Sequence, residues 1–149
     1  DEGYVKSPED RMGLLFWRKH RAARIVVSLL FHLDEMTPDE MVDYLVEEVG
    51  HEPLMARGEV RRFIGEAYGP LYQCAYLIGG IQVDALRREV VGPGGMTMRG
   101  FHDAVLACGP IPIEAVRWTL LGEAPPEPTP PGWRFDEARQ AALDAAGRD

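Results

Sequence analysis

Long apolar runs and an excess of basic residues are both missing from this sequence. The longest apolar candidate, residues 25–33, is interrupted by Ser28 and His32 and falls short of the roughly 20 residues that a membrane-spanning helix needs. The 24 acidic residues outnumber the 16 basic ones, which gives a formal net charge of -8. That charge repels nucleic acid phosphates and anionic lipid surfaces. We therefore expect no nucleic acid partner and no membrane partner, and we interpret residues 25–33 as part of a core helix.

Metal-binding and nucleophile motifs are also scarce. None of the four histidines stands four residues from another, the spacing that places two imidazoles on one helix face for zinc. His51-Glu52 begins like a zinc-protease motif, but Met55 occupies the position of the second histidine. The chain therefore predicts no metal site of its own. Cys74 and Cys108 both lie in apolar helical stretches, which favours free buried thiols and leaves the cellular compartment undetermined.

Helix start and stop signals recur along the chain, and sustained alternation typical of strands is absent. Ser7-Pro8 and Thr37-Pro38 each precede acidic residues, as expected of N-caps, and predict helices to about Leu33 and to Gly50. Further helices are predicted over residues 58–67, 70–90, 97–108 and 112–121, and Thr97 is the expected N-cap of the helix that ends at residue 108. We therefore predict an all-α fold, an orthogonal or irregular array of about six helices, with the first helix in the centre.

The expected organisation is one helical domain, a linker and a tail. The helical domain spans residues 1–122, the proline-rich linker spans 123–133 because its prolines cannot continue a helix, and a peripheral helix spans 134–149. The chain starts at Asp1 with neither an initiator methionine nor a basic-then-apolar leader, so we expect the true N-terminus to lie elsewhere.

Residues 70–90 carry two side-chain stripes. Leu71, Cys74, Ile78, Ile81 and Ala85 form an ordinary core face. The second stripe brings Tyr72, Tyr76, Gly79, Gly80, Val83 and Arg87 to one side. Each of two adjacent glycines within a helix destabilises that helix by roughly 1 kcal/mol relative to alanine. We therefore expect another element to approach closely there. This stripe is either tight helix packing with the phenols at its rim, or the wall of a cleft. In a cleft, a phenol could donate to an oxyanion and an arginine could hold a carboxylate.

Arg18, Lys19, His20, Arg21 and Arg24 form a basic cluster on the first helix. A solvated charged face is the default interpretation, but Arg24 is followed at once by apolar residues, and a deep arginine needs a partner. His32, between Phe31 and Leu33, is interpreted as a core or boundary histidine whose ordinary pKa would also suit proton transfer.

Several segments, in order, are similar to the C-terminal region of the bacterial domain-of-unknown-function 885 family, metallopeptidases of the gluzincin kind. The resemblance covers about residues 14–121. It rests on Arg21-Ala22-Ala23-Arg24-Ile25-Val26-Val27, Leu30-Phe31-His32, Thr37-Pro38-Asp39-Glu40, Asp43-Tyr44-Leu45-Val46, Glu59-Val60-Arg61-Arg62-Phe63-Ile64, Pro70, Ala75-Tyr76, Ile78-Gly79, Leu86-Arg87, Phe101-His102-Asp103-Ala104-Val105-Leu106 and Gly109-Pro110-Ile111-Pro112-Ile113.

The resemblance implies a helical peptidase whose zinc is held by a His-Glu helix and a further glutamate, upstream of the region resembled. Tyr76 matches the family's tyrosine and would contact the substrate or oxyanion, with His32 as a second catalytic candidate. Arg24, Tyr72 and Arg87 are the substrate-binding candidates, and Tyr72 stands where the family usually has glutamine.

Two functions remain open from the sequence. The chain is either the C-terminal portion of a zinc metallopeptidase, inactive alone and acting on a peptide substrate, or a non-enzymatic protein. The non-enzymatic alternative is a helical interaction module or a degenerate member of the family. If the chain is such a C-terminal portion, we expect its apolar surface to be covered by the upstream metal-binding portion or by self-association.

Overall fold

A computed structural model of the chain describes residues 3–65 and 68–123, and its ordered elements there are helical. Its six α-helices within those ranges are α1 (Pro8–His32), α2 (Pro38–Tyr44), α3 (Pro53–Ile64), α4 (Ala75–Val90), α5 (Met98–Cys108) and α6 (Ile113–Leu121). A π-helical turn, Leu45–Val49, continues α2, and a 3-10 turn, Tyr72–Cys74, precedes α4. The predicted all-α class is confirmed. Residues 124–133 of the predicted linker and the predicted tail helix lie outside the described residues.

Three predicted caps are present. The Ser7 hydroxyl accepts a hydrogen bond from the Asp10 amide at 3.1 Å, and the Asp10 carboxylate accepts one from the Ser7 amide. Thr37 and Glu40 form the same reciprocal capping box at the start of α2. Thr97 caps α5 by accepting from the Gly100 amide at 3.1 Å. Each cap satisfies a backbone N–H that has no partner within the first helical turn.

Two predicted helix starts were wrong. The third helix begins at Pro53, not at residue 58, because the Glu52 side chain accepts from the Met55 amide and acts as its N-cap. The helix predicted to begin at residue 70 begins at Ala75, because the preceding residues form the 3-10 turn. Tyr72 therefore precedes α4, whereas Tyr76 lies in its first turn.

The described residues divide into two compact units, and the division lies between Ile78 and Gly79. The predicted boundary at residue 122 lies beside the end of the described residues and stays a prediction. The core of the first unit is built from α1, α2, the π-helical turn and α3. Its buried apolar residues are Ala23, Val27, Met41, Val42, Leu45, Val49, Ala56, Val60 and Phe63. A separate apolar cluster in the second unit contains Leu86, Val90, Phe101 and Val116.

Helix α1 is buried along one stripe, whereas a central helix would be buried over more than half of its surface. His20, Ala23, Arg24, Val27 and Ser28 are buried. In contrast, Leu14, Leu15, Trp17, Val26 and Leu29 are exposed. The prediction of a central helix failed because, in the part of the chain that the structure describes, the neighbours of α1 cover one stripe only. These neighbours are α2, α3, the π-helical turn and the 3-10 turn.

Helix α4 also departs from the expectation. A Cβ added to Gly79 or Gly80 meets no atom within 4 Å, so the close approach predicted for this pair is not found in residues 3–65 and 68–123. Of the predicted core stripe, Cys74 and Ala85 are buried, whereas Leu71 and Ile78 are exposed. Both cysteines are free thiols as predicted, but Cys108 is only half-buried.

Candidate functional site

Helix α1 buries a line of polar side chains, His20, Arg24 and Ser28, at successive intervals of four residues. This spacing places them one above another on a single helix face. Arg18, Lys19 and Arg21 are exposed, as predicted for a solvated basic face. The default interpretation was wrong for His20 and Arg24, because these two turn toward a carboxylate on α3.

That carboxylate belongs to Glu59, whose two oxygens hold the site together. Its Oε2 accepts from Arg24 Nε at 3.0 Å and also from Arg24 Nη2. Its Oε1 accepts from Arg62 Nη1 at 3.2 Å, and His20 Nε2 lies 3.8 Å from Oε2. Burial alone would raise the pKa of Glu59, but the hydrogen bonds and charge of Arg24, with the charge of Arg62, lower it overall. Glu59 is therefore ionised at neutral pH.

His20 also contacts His51, which follows the left-handed Gly50 at the end of the π-helical turn. His51 Nε2 and His20 Nδ1 are 2.7 Å apart, so one of these nitrogens donates and the other accepts. A proton on His20 Nε2 suits the neighbouring Glu59 carboxylate and makes Nδ1 the acceptor for His51 Nε2–H. Burial, then the charge of Arg24, lowers the pKa of His20 to about 4, which keeps this imidazole neutral at pH 7.

Tyr76 brings an aromatic face to the same place. The guanidinium carbon of Arg24 lies 5.6 Å from the centre of the Tyr76 ring, within the range of a cation–π interaction. The Tyr76 hydroxyl lies 3.2 Å from that of Tyr72, and the Tyr72 ring stacks on Tyr68 at 4.3 Å. The hydrogen bond with Tyr76, followed by that group's charge, raises the pKa of Tyr72, so Tyr72 stays protonated and can donate.

These groups border a cavity of about 200 Å³ in the first unit. It is lined by Trp17, His20, Arg21, Arg24, Arg62 and Tyr76. Three guanidinium groups face it, and the Glu59 carboxylate neutralises one, which leaves a local charge of about +2 because arginine stays protonated. In a chain of net charge -8, this cavity is a local positive site that suits an anion.

The remaining sequence candidates lie elsewhere. His32 is exposed near the end of α1, where its Nδ1 lies 2.7 Å from the Ser28 carbonyl oxygen. Eight residues of helix place it about 12 Å along the axis from Arg24. Arg87 belongs to the second unit, where its guanidinium donates to Asp84 at 2.9 Å. The roles predicted for His32 and Arg87 stay predictions.

The structure thus brings together three of the predicted site residues, Arg24, Tyr72 and Tyr76. Sequence reasoning did not identify their neighbours Glu59 and Arg62 or the contact between His20 and His51. A usable signal existed for Glu59. Arg24 needed a partner, and Glu59 lies on α3 beside Val60, one turn before Phe63, at the edge of that helix's apolar face. No sequence signal pairs His20 with His51, which are 31 residues apart.

The described residues do not fit a zinc ion. Among them, no group of three histidine, cysteine or carboxylate side chains could hold a metal. A hydrogen bond 2.7 Å long joins the His20 and His51 nitrogens, and this leaves no room for zinc, which needs about 2.0 Å to each nitrogen. The upstream zinc site implied by the resemblance stays a prediction.

The sequence comparison decides the family. The family model described as "Bacterial protein of unknown function (DUF885)" matches residues 1–120. The chain belongs to the DUF885 family. Neither a curated protein nor a solved structure gives a significant match. The DUF885 match spans α1 to nearly the end of α6 and so includes every residue that lines the cavity. Within residues 3–65 and 68–123, no helix combines the length and the hydropathy needed to cross a bilayer.

Proposed function

We propose that this chain is the C-terminal helical portion of a zinc-dependent peptidase of the DUF885 family and that its cavity binds a carboxylate or oxyanion of a peptide substrate. The family is shown by the match over residues 1–120, and the resemblance of the Tyr76 segment supports the peptidase assignment. The observation that carries the proposal is the contact between Arg24 and Tyr76 at the edge of a cationic cavity. The zinc would be supplied by an upstream portion, and the chain alone would be inactive.

The network around Glu59 explains how the cavity keeps its shape. Glu59 holds Arg24 through two donors and Arg62 through one, so two of the three guanidinium groups have fixed positions before a ligand arrives. A binding group that is already ordered loses little side-chain entropy on binding. The neutral His20 adds polarity without adding a competing charge.

The two tyrosine hydroxyls form a relay for hydrogen bonding. A phenol hydroxyl can both donate and accept, and its proton rotates to suit its partners. The Tyr76 hydroxyl donates to Tyr72 in the structure, so both hydroxyls rotate when an oxyanion binds: Tyr72 then donates to Tyr76, and Tyr76 donates to the oxyanion.

Replacement of the Tyr76 hydroxyl tests this role in the full-length protein. Tyr76→Phe keeps the ring under Arg24 and removes only the donor, so peptide turnover should fall about 10- to 1000-fold, the range for loss of one oxyanion donor. Zinc content should not change. Tyr4→Phe, at an exposed tyrosine that does not line the cavity, is the matched control and should be neutral. An unaltered rate for Tyr76→Phe would reduce Tyr76 to a packing role.

A binding experiment on the chain itself separates anion recognition from catalysis. A short peptide with a free C-terminal carboxylate should bind and change the fluorescence of Trp17, which lines the cavity. The same peptide with an amidated C-terminus should bind at least about 10-fold more weakly, as expected when a charge-assisted pair is lost. Equal affinity for the two peptides would exclude carboxylate recognition here.

A non-enzymatic helical interaction module is the second candidate, and the exposed apolar side chains of α1 favour it. Zinc analysis and a peptidase assay of the complete gene product distinguish the two. A metal-free, inactive full-length protein would support the interaction module.

A further inference from the structure

Arg21 differs from the other two arginines of the cavity because no carboxylate neutralises it. Glu59 accepts from Arg24 through one oxygen and from Arg62 through the other. In contrast, no acidic side chain within residues 3–65 and 68–123 lies at ion-pair distance from Arg21. Arg21 nevertheless lines the cavity. The positive charge of the cavity therefore includes one guanidinium group that has no counter-charge of its own.

Helix spacing places Arg21 beside Arg24. Residues three positions apart are neighbours on one face of a helix, with a rise of about 4.5 Å between them. Arg24 donates to Glu59 through Nε and Nη2, which leaves its Nη1 for a ligand. The cavity therefore offers two adjacent guanidinium groups, one held in position by Glu59 and one without a carboxylate partner.

We propose that the cavity selects peptides whose C-terminal residue is aspartate or glutamate, with Arg24 binding the terminal carboxylate and Arg21 binding the side-chain carboxylate. This inference rests on the proposed function, because it adds a second carboxylate to the one already assigned to the cavity. Arg21 is then the residue that determines specificity for the last residue of the peptide.

The charge of the cavity favours a ligand with two carboxylates. The three arginines and Glu59 give a local charge of about +2. A single carboxylate leaves one positive charge uncompensated, whereas the two carboxylates of a C-terminal aspartate or glutamate neutralise the cavity. These carboxylates are separated by only two or three carbon atoms, so they can reach neighbouring guanidinium groups on one helix face.

The size of the cavity favours a terminal residue. Its volume of about 200 Å³ is smaller than the roughly 300 to 1,000 Å³ of pockets that hold drug-sized ligands. An internal residue of a peptide needs space for the chain on both sides, whereas a terminal residue needs it on one side only. The Trp17 ring, which also lines the cavity, offers an apolar surface to the methylene groups between the two carboxylates.

Two peptides that differ only in their last residue test this preference. One ends in glutamate and the other in glutamine, and both have a free terminal carboxylate. Each is titrated into the chain by isothermal calorimetry at constant ionic strength. The glutamate peptide should bind about 10-fold more tightly, because its side chain accepts a charge-assisted hydrogen bond from Arg21.

Three other results contradict the inference in distinguishable ways. Equal affinity for the two peptides, with both bound more tightly than an amidated peptide, overturns the inference and leaves the proposed function in place. Equal affinity for free and amidated termini contradicts the proposed function, and the inference fails with it. Inorganic phosphate that binds as tightly as the glutamate peptide would mean that the cavity recognises a small dianion, and it would overturn the selection of peptides.

Replacement of Arg21 tests whether this residue determines the preference. Arg21→Gln should reduce the ratio of the two dissociation constants from about 10 to about 1 and leave the affinity for the glutamine peptide unchanged. Arg18→Gln removes the same charge at an exposed position of α1 outside the cavity lining, and this control should keep the 10-fold preference. A preference that survives Arg21→Gln, or one that Arg18→Gln abolishes equally, overturns the role of Arg21.

Discussion

At the residue scale, Glu59 is the side chain on which the site depends. It is the acceptor for the buried Arg24 and also for Arg62. Glu59→Gln removes the negative charge but keeps the shape, so the Arg24 guanidinium stays buried without a counter-charge. Breaking such a pair should lower the free energy of unfolding by roughly 2 to 4 kcal/mol, measured by urea denaturation.

The matched control for this prediction is Asp39→Asn. It removes a carboxylate that lies 4.0 Å from Arg57 with both side chains largely exposed. An exposed pair contributes at most about 1 kcal/mol, so this variant should behave as the wild type. Similar losses in the two variants would mean that the Glu59 charge does not stabilise the buried arginine.

His20 makes the stability of the first unit depend on pH. Its pKa is about 4 in the folded protein, compared with 6.5 for the free side chain. Between these values the unfolded chain binds the extra proton, so stability falls as the pH decreases from about 6.5 to 4. For one such group, the free energy of unfolding should fall by roughly 2 kcal/mol between pH 7 and pH 5.

Comparison of variants assigns this pH dependence to His20. The His20→Gln variant should be less stable than the wild type at pH 7. Its free energy of unfolding should change much less between pH 7 and pH 5 than that of the wild type, measured by urea denaturation at both values. His102→Gln removes an exposed imidazole on α5 and should keep the wild-type pH profile. A His20→Gln protein with the full pH dependence would assign the effect to other groups.

These residue-scale features show the limit of reasoning from sequence. The need of Arg24 for a partner was evident, because apolar residues follow it directly. The identity of that partner depends on how α1 packs on α3, 35 residues away, and no local pattern encodes this packing. The pairing of His20 with His51 was unpredictable for the same reason.

At the scale of elements, sequence signals succeeded where a side chain caps a helix locally. Ser7, Thr37 and Thr97 all make the predicted cap bonds to amides three residues ahead. The start of α3 was missed because glutamate is an unusual N-cap, so Glu52 gave no recognisable signal. Apolar periodicity was least informative for α1, where one apolar face forms the core and another is exposed.

At the scale of the whole molecule, apolar composition predicted a sizeable core but not its division between two compact units. The two buried clusters contain leucines that differ from exposed leucines only in their surroundings. Leu45 is 0% exposed in the first unit, and Leu86 is 1% exposed in the second. Leu54 and Leu106, at 75% and 79% exposed, lie in α3 and α5 and serve as their matched controls.

Truncation of each leucine tests whether both clusters stabilise the fold. Leu45→Ala and Leu86→Ala should each lower the free energy of unfolding by about 2 to 5 kcal/mol, because each removes buried methyl groups and leaves a cavity. Leu54→Ala and Leu106→Ala should change it by less than about 0.5 kcal/mol, since alanine is a good helix former and little apolar burial is lost. Chemical denaturation followed by circular dichroism measures all four. A neutral Leu86→Ala would show that the second cluster contributes no cooperative stability, and it would leave the first unit as the only demonstrated core.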